Sequence, residues 1–463
     1  MKKLFVFVLL LSFLPVLAQQ IRTPLPTKYQ LAWHEQEFYL YIHFGPNTFT
    51  DKEWGHGDEA AEVFNPSSFD CRQWCRVAKA AGAKAIIITA KHHDGFCLWP
   101  SKFSTHTVRE SKWRNGKGDV LKDLSKACKE YGLRFGVYIS PWDRNHPDYG
   151  TEKYNDVFVG MMKELFQNYG PIWELWWDGA NGEGPNGKKQ VYDWKRYRET
   201  VRKISPSTVI FSDVGPDIRW CGNENGIAGE TNWNYLDTEG FEAGAKAPKQ
   251  DILNTGNKDG KYWIPAECDV SIRPGWFYHK EEDSKVKTPE QLFQLYLKSV
   301  GRGANLLLNV PPDRRGLIHE NDSAALAGFR KLREQAFKEN LAVNGKTELV
   351  SGDSLKPTLP KQSFPLDKDK LEEQSIYVFY KKPTEINCIE IGEDIKFGQM
   401  VEQFYVQLVN GSQVQSFMYS TIGRKRIITF PAFKAESVMI KILSAKGDVR
   451  IKDVQTFLIP EVK

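Results

Sequence analysis

The feature that most constrains the fold is a repeated alternation of short apolar segments with longer amphipathic ones. The apolar segments predict strands at 38–44, 84–90, 133–140, 172–177, 208–214, 226–229, 262–270 and 304–310. Patterns typical of helices lie between them, at 68–81, 119–131, 152–169, 189–204 and 289–300. Continuous apolar strands separated by helices indicate a parallel sheet. About eight such units over some 300 residues predict a (β/α)8-like barrel.

Local signals at the helix ends agree with this reading. The sequence Asn65-Pro66-Ser67 predicts a helix start, and Gly82 and Gly132 are placed to end two helices. An open doubly wound sheet is the alternative architecture. No GxGxxG opens a helix after the first strand, which weakens a dinucleotide-binding interpretation.

The pattern changes to period two near residue 345. Apolar positions then alternate in three segments. These positions are Ile376, Val378 and Tyr380; Phe404, Val406 and Leu408; and Met439, Lys441 and Leu443. Asn410-Gly411 is a strong hairpin signal. We therefore predict a barrel over 19–343 and a C-terminal antiparallel β-sandwich over 344–463. The sandwich contains few Trp, which favours a structural buttress over a carbohydrate-binding module.

The first 18 residues have the pattern of a signal peptide. Lys2 and Lys3 precede an apolar run at 4–17, and Val16 and Ala18 are small residues before a plausible cleavage point. The run is short for a membrane span, so an uncleaved anchor is the less favoured alternative. We expect a periplasmic or secreted protein that is free of the membrane after cleavage.

Composition excludes some classes of partner and favours another. A net charge of +5 over 463 residues gives no reason to expect nucleic-acid binding. The seven Cys have no zinc-site spacing, and most are predicted to be buried free thiols. The 14 Trp are a notable excess, and indole faces pack well against the apolar faces of sugars. Most of these Trp are nevertheless expected in the core.

Side chains suited to a sugar site follow several predicted strands. Because chemistry in a barrel collects at the C-terminal ends of the strands, these side chains should share one mouth. They are His43, 91–96, Tyr138, 176–179, Asp213, 216–224, Glu230, Glu267, Asp269 and Trp276. Here the sixth strand is predicted to end near Glu230. A mouth with His, Trp and carboxylates is a polar pocket with aromatic walls.

Cleavage of a glycosidic bond requires two carboxyl groups, one on each side of the bond. The candidates are Asp94, Asp143, Asp178, Asp213, Glu224, Glu230 and Glu267, and spacing alone does not choose a pair. Each also has a plain structural interpretation: Asp178 could cap a helix, and Glu224 could be a solvated loop residue. His92 and His93 could bind a metal, although neighbours on a strand point to opposite faces.

Several of these stretches together resemble the α-L-fucosidases of glycoside hydrolase family 29. The matching stretches are 41–45 with 53–54, 91–96, 136–140, 176–179 and 303–309. The resemblance extends over about residues 25–340, and the β-rich tail fits it as well. It implies a (β/α)8-like barrel followed by a β-sandwich, with retention of configuration, no metal and no cofactor.

The resemblance also implies roles for individual residues. Asp178 matches the nucleophile. The positions that hold fucose are matched by His43, Glu53, Trp54, His92, His93, Tyr138 and Trp176. Residues 215–224 and 266–276 resemble the branch that acts on α-1,3 and α-1,4 linkages, which makes Glu224 the acid/base and puts Trp276 on the wall of the site. Trp220 is predicted to lie near the aglycone.

Fucose is a 6-deoxy sugar, so its site needs an apolar wall for the methyl group and polar groups for three hydroxyls. The expected substrate is therefore a fucosylated oligosaccharide or glycoprotein glycan. Three alternatives stay open: a broad-specificity fucosidase or one for a related sugar, a non-catalytic fucose-binding protein, and a metal-dependent hydrolase using His92 and His93. If Glu224 is not the acid/base, Glu230 or Glu267 would take its place.

Overall fold

A closed barrel of eight parallel strands forms the first part of the chain. The computed structural model describes residues 23–243, 248–352, 354–357 and 363–461, so the predicted signal peptide at 1–18 lies outside the described residues. The first ten strands are β1 (Phe38–Ile42), β2 (Ala85–Lys91), β3 (Arg134–Ile139), β4 (Glu174–Trp176), β5 (Val209–Ser212), β6 (Ile218–Trp220), β7 (Tyr235–Leu236), β8 (Tyr262–Trp263), β9 (Ala266–Ser271) and β10 (Asn305–Asn309). Strands β7 and β8 form a separate two-stranded antiparallel sheet. The other eight close in the order β1-β10-β9-β6-β5-β4-β3-β2, which confirms the predicted barrel.

Nine α-helices fall within the described residues. They are α1 (Lys28–His34), α2 (Pro46–Thr50), α3 (Cys71–Ala81), α4 (Val120–Tyr131), α5 (Glu152–Tyr169), α6 (Trp194–Ile204), α7 (Gln250–Thr255), α8 (Pro289–Lys298) and α9 (Glu320–Ala336). Gly82 and Gly132 end α3 and α4 in the left-handed conformation, as predicted. The predicted start of α3 at 65–67 is wrong, because the Asp70 side chain accepts the Arg72 N–H and caps the helix there. None of the described helices is both long and apolar enough to cross a membrane.

The sixth and seventh predicted strands are the two errors in the barrel. The sixth strand is Ile218–Trp220 and not 226–229. Residues 226–229 form a loop whose Ile227 carbonyl accepts hydrogen bonds from the Asn223 and Asn254 amides. The predicted strand 262–270 is divided in two: Tyr262–Trp263 belongs to the two-stranded sheet and Ala266–Ser271 to the barrel. Pro265, which has no N–H to donate, lies between them.

An antiparallel β-structure follows the barrel, as predicted. Its strands are β11 (Gly345–Ser351), β12 (Ser354–Pro357), β13 (Phe364–Leu366), β14 (Gln374–Glu393), β15 (Val401–Asn410), β16 (Gln413–Ser420), β17 (Arg426–Ala445) and β18 (Val449–Phe457). The long strands β14 and β17 pair with each other through two register shifts, and β14 also pairs with β11 and β18. The predicted hairpin is confirmed: Asn410 pairs with Gln413 across a two-residue turn.

Alternate side chains along several of these strands are buried in a hydrophobic core separate from that of the barrel. Ile376 and Val378 of β14 and Phe404, Val406 and Leu408 of β15 are buried, as the period-two pattern predicts. In β17 the predicted phase is wrong by one residue. The buried positions there are Val438, Ile440 and Ile442, whereas Leu443 is exposed.

The C-terminal β-structure packs against the barrel at the end opposite the mouth. Arg424 and Lys425 form ion pairs with Glu37, which immediately precedes β1. Arg426 donates to the carbonyl of Glu230, whose carboxylate pairs with Arg302 ahead of β10. Contacts at the N-terminal ends of barrel strands serve stability, so this packing fits a buttress. All seven Cys are buried and free, in keeping with the prediction.

Candidate active site

Histidine and tyrosine side chains from the first three strands meet at the mouth. His43 follows β1, and His92 and His93 follow β2. The His43 and His92 ring centroids are 5.7 Å apart, and those of His92 and His93 are 4.2 Å apart. Tyr138 of β3 stacks on His92 at 5.8 Å. Four of the residues predicted to bind fucose therefore form one continuous surface.

The hydrogen bonds of His43 fix its tautomer. Its Nδ1 lies 2.8 Å from Asn309 Oδ1. The Asn309 amide nitrogen donates to Ser271 Oγ and to the Trp276 carbonyl, so Asn309 Oδ1 must be an acceptor. Nδ1 of His43 therefore carries the proton, and Nε2 is left as an acceptor for a ligand hydroxyl.

The tautomer of His93 is fixed in the same way, by a different hydrogen-bond partner. Its Nδ1 lies 2.8 Å from Ser140 Oγ, and that hydroxyl donates its proton to the Trp142 carbonyl. Nδ1 of His93 is therefore the donor, and Nε2 is an acceptor 3.7 Å from the Asp178 carboxylate. A hydroxyl bound beside Asp178 finds an acceptor there.

Burial keeps all three histidines neutral. It lowers the pKa of His43 to about 3 and the pKa of His93 to about 4. The pKa of His92 is held well below its usual value by burial and by the adjacent His93 and His43. Neutral rings with unprotonated nitrogens suit the binding of sugar hydroxyls rather than of an anion.

Asp178 lies two residues beyond the end of β4, with a quarter of its side chain exposed (26 %). Tyr138 donates its hydroxyl to Oδ2 at 2.9 Å, and the Ala180 N–H donates to Oδ1 at 2.7 Å. Gly179 follows directly, and a Cβ there would collide with the Asp213 carboxylate. The carboxylate is thus held by two donors while one edge stays open to the mouth.

Aromatic rings line the floor below Asp178. The Trp176 ring stacks on Phe211 at 3.9 Å and lies 5.6 Å from the Tyr41 ring. The indole N–H of Trp176 donates to Glu267 at 2.9 Å. Glu267 is fully buried in the barrel interior, where burial raises its pKa. It lies beneath the floor and supports Trp176.

Glu224 lies on an exposed loop after β6. The indole N–H of Trp276 donates to its Oε2 at 3.2 Å. The Trp276 ring is 5.1 Å from His43 and 6.3 Å from Tyr41, so Trp276 joins the histidine wall to Glu224. Burial, and then the neighbouring Cys221 and Glu224, raise the pKa of Asp269 well above its usual value.

The remaining predicted binding residues surround this wall. The Glu53 carboxylate accepts the backbone N–H groups of Trp276 and Phe277 at 2.8 and 3.1 Å. Trp54 is 55 % exposed, with its ring edge-on to His93 at 5.6 Å. Trp220 donates its indole N–H to Asp269 at 2.9 Å, on the Glu224 side. All eleven residues predicted for the site are therefore linked around one mouth.

Three other candidate carboxylates have structural surroundings. Asp143 is buried and pairs with Lys91 at 3.2 Å. Asp94 is buried and accepts the Phe96 N–H, and burial raises its pKa to about 7. Glu230 lies at the opposite end of the barrel, where it pairs with Arg302. The error in the sixth strand explains why Glu230 appeared to belong to the mouth.

Four supporting residues were not among the predicted site residues. Ser140 and Asn309 fix the two histidine tautomers, and both lie in stretches that the family resemblance already marked. His279 bonds to Asp51 and Glu53, more than 220 positions away along the chain, so no local pattern signals it. Tyr41 was marked only as part of a stretch, and two-residue periodicity from His43 places it on the same face of β1.

The mouth offers neutral histidines, aromatic rings and the carboxyl groups of Asp178 and Glu224, a set of side chains suited to a sugar. The neutral histidines accept hydroxyl protons, and the aromatic floor receives an apolar face or a methyl group. No group of three or more His, Cys, Asp and Glu within the described ranges is arranged to hold a metal ion.

Comparison with known proteins gives a consistent result. The family model described as alpha-L-fucosidase matches residues 25–331. The chain is 40 % identical over 441 residues to alpha-L-fucosidase 1 of Arabidopsis thaliana, covering 92 % of this chain and 86 % of that protein.

Solved structures extend the likeness to the whole architecture. A glycoside hydrolase 29 family member from an unknown rumen bacterium superposes with a TM-score of 0.86 at 39 % identity, covering 95 % of this chain and 78 % of that one. A Ruminococcus gnavus GH29 fucosidase in complex with fucose superposes with a TM-score of 0.84 at 29 % identity, covering 95 % of each chain.

Proposed function

The chain belongs to the α-L-fucosidases of glycoside hydrolase family 29, and we propose that it releases terminal L-fucose from α-1,3- and α-1,4-fucosylated glycans with retention of configuration. Asp178 is the nucleophile and Glu224 the acid/base in this proposal. What supports it is that both carboxyl groups adjoin the same wall of rings: Asp178 lies beside His93 and Tyr138, and Glu224 lies beside the Trp276 indole.

The reaction proceeds in two displacements. An Asp178 oxygen attacks the anomeric carbon while the bond to the leaving oxygen breaks, and the Glu224 carboxyl gives its proton to that oxygen. Glu224, now a carboxylate, takes a proton from water as the water oxygen attacks the same carbon and the bond to Asp178 breaks. Atoms and charge balance, and the anomeric configuration is restored.

Other residues of the mouth bind the sugar on which these two carboxyl groups act. The Nε2 atoms of His43 and His93 accept sugar hydroxyls, and the Tyr138 hydroxyl orients the attacking carboxylate. Trp176, Trp276 and Tyr41 form the apolar surface for the methyl group of the 6-deoxy sugar. Trp54 and Trp220, at the rim, are left for the rest of the glycan.

Linkage preference is the finer part of the proposal. It is supported by the stretches 215–224 and 266–276, which carry Glu224 and Trp276. The test is fucose release by the purified protein from a branched α-1,3/1,4-fucosylated oligosaccharide and from an α-1,2-linked one. Cleavage of the branched substrate alone is expected. Equal cleavage of both would favour a broad-specificity fucosidase, and cleavage of neither would favour a fucose-binding protein.

A further inference from the structure

We propose that His279 is a positioning residue: it clamps the Trp276 loop (residues 272–279) to Glu53, and the clamped Trp276 indole holds Glu224 over the mouth. The inference rests on the proposed function of Glu224 as acid/base. It assigns a role in leaving-group protonation to a residue that lies outside the wall of the sugar site.

The first link is an imidazole between two carboxylates. His279 Nδ1 lies 2.8 Å from Asp51 Oδ1, and Nε2 lies 2.7 Å from Glu53 Oε1. Ionised carboxylates only accept hydrogen bonds, so both ring nitrogens must donate and the ring is an imidazolium. Partial burial opposes this charge, but the bonds to Glu53 and Asp51 raise the pKa of His279. Arg314, 3.7 Å from Asp51, and Glu282 complete its charged surroundings.

The second link passes from Glu53 to the backbone of the loop. The same carboxylate accepts the N–H groups of Trp276 and Phe277. A Cβ on Gly275 would lie 2.7 Å from Glu53 Oε1, so the loop approaches this carboxylate as closely as glycine allows. The loop is anchored at its start by Arg273, which is fully buried and pairs with Asp322 at 2.6 Å.

The third link is the indole. Among the described residues, Trp276 Nε1 is the hydrogen-bond donor to the Glu224 carboxylate, which otherwise projects from an exposed loop. Loss of the clamp would let Trp276 shift on the wall and release Glu224 from its place. Protonation of a poor leaving group then suffers, while departure of a good leaving group does not.

The test compares His279→Gln with His319→Gln. His319 is a matched control because its Nε2 also lies between two carboxylates, Asp283 and Glu320, with similar side-chain exposure (19 % against 16 %). We measure kcat/KM on a branched fucosylated trisaccharide and on 4-nitrophenyl fucoside. For His279→Gln we expect a loss of about 10-fold or more on the trisaccharide and less than about 3-fold on the aryl substrate. His319→Gln should lose neither.

A second variant keeps the test decisive if His279→Gln folds poorly. Trp276→Phe keeps a ring and the backbone bond to Glu53 but removes the indole N–H, and it should show the same selectivity. Equal losses on both substrates, or no loss on either, would overturn the positioning role. Glu224→Ala is measured in parallel: if that variant shows no leaving-group selectivity, the acid/base assignment fails and this inference fails with it.

Discussion

The two sides of the mouth are built in different ways. On the side of the proposed nucleophile, Asp178 lies two residues beyond a buried strand and is held by Tyr138 of the neighbouring strand and by the Ala180 N–H. On the side of the proposed acid/base, Glu224 projects from an exposed loop and is held by one indole from another loop. The first arrangement comes from the sheet itself, whereas the second depends on contacts between loops.

This difference matches what each carboxyl group must do. A nucleophile needs a fixed line of attack, because a misplacement of about 1 Å can lower the rate on the order of 100-fold. An acid/base serves two steps and must reach first the leaving oxygen and then a water molecule, so a tethered loop position is suitable. We therefore expect substitutions on the two sides to differ in size and in dependence on the substrate.

The largest effect is expected for Asp178→Asn. Without the carboxylate no covalent intermediate forms, and activity should fall by about 10⁴-fold or more on every substrate. Added azide should then give the β-L-fucosyl azide by a single displacement. Asp213→Asn is the matched control, because this carboxylate lies against Gly179, and it should lose far less. An Asp178→Asn variant that keeps substantial activity would remove Asp178 from the mechanism.

Glu224→Ala should be weaker and selective. On natural oligosaccharides we expect a loss of about 10²- to 10³-fold in kcat/KM, because the leaving oxygen is no longer protonated. Aryl fucosides should lose much less in kcat/KM, and azide should restore turnover with an α-L-fucosyl azide product. An equal loss on both substrate classes without azide rescue would contradict the assignment of Glu224 as the acid/base.

The same contrast explains what the sequence could predict. His43, Tyr138 and Trp176 lie at the C-terminal ends of predicted strands, where the chemistry of a barrel collects, so the strand pattern alone places them at the mouth. The sixth strand was missed because it has only three residues, Ile218–Trp220, between segments with turn-like composition. Glu230 was consequently placed at the wrong end of the barrel.

Contacts between loops are beyond such reasoning. The bond from His279 to Asp51 joins residues 228 positions apart, and only the closed barrel brings them together. In the C-terminal β-structure the phase error in β17 had a visible warning. The predicted inward set included Lys441, and lysine is rarely buried without a partner.

The smallest effect concerns the support beneath the nucleophile side. Glu174 and Glu267 are fully buried neighbours in the barrel interior, and they accept the indole N–H groups of Trp33 and Trp176 respectively. Burial, and then the mutual proximity of the two carboxyls, raises the pKa of Glu174 well above its usual value. The folded state therefore holds a proton that the unfolded chain gives up above about pH 4.5, near the usual value.

Stability should consequently be lost as the pH rises above that point, because the unfolded state releases the proton more readily. Glu174→Gln needs no such proton, and its amide can donate to Glu267. We compare the free energy of unfolding of this variant with that of the parent at pH 5 and at pH 8. The difference should shift in favour of the variant by roughly 1 kcal/mol or more over this range, since one pKa unit corresponds to about 1.4 kcal/mol. Urea unfolding at both pH values measures this.

Glu164→Gln is the control, because Glu164 is also buried but is bonded to Trp99, Ser101 and Lys102 instead of a carboxyl. If the free energies of unfolding of Glu174→Gln and of the parent change in parallel with pH, the interior pair holds no extra proton. The strands alone would then keep the Asp178 side of the mouth in place.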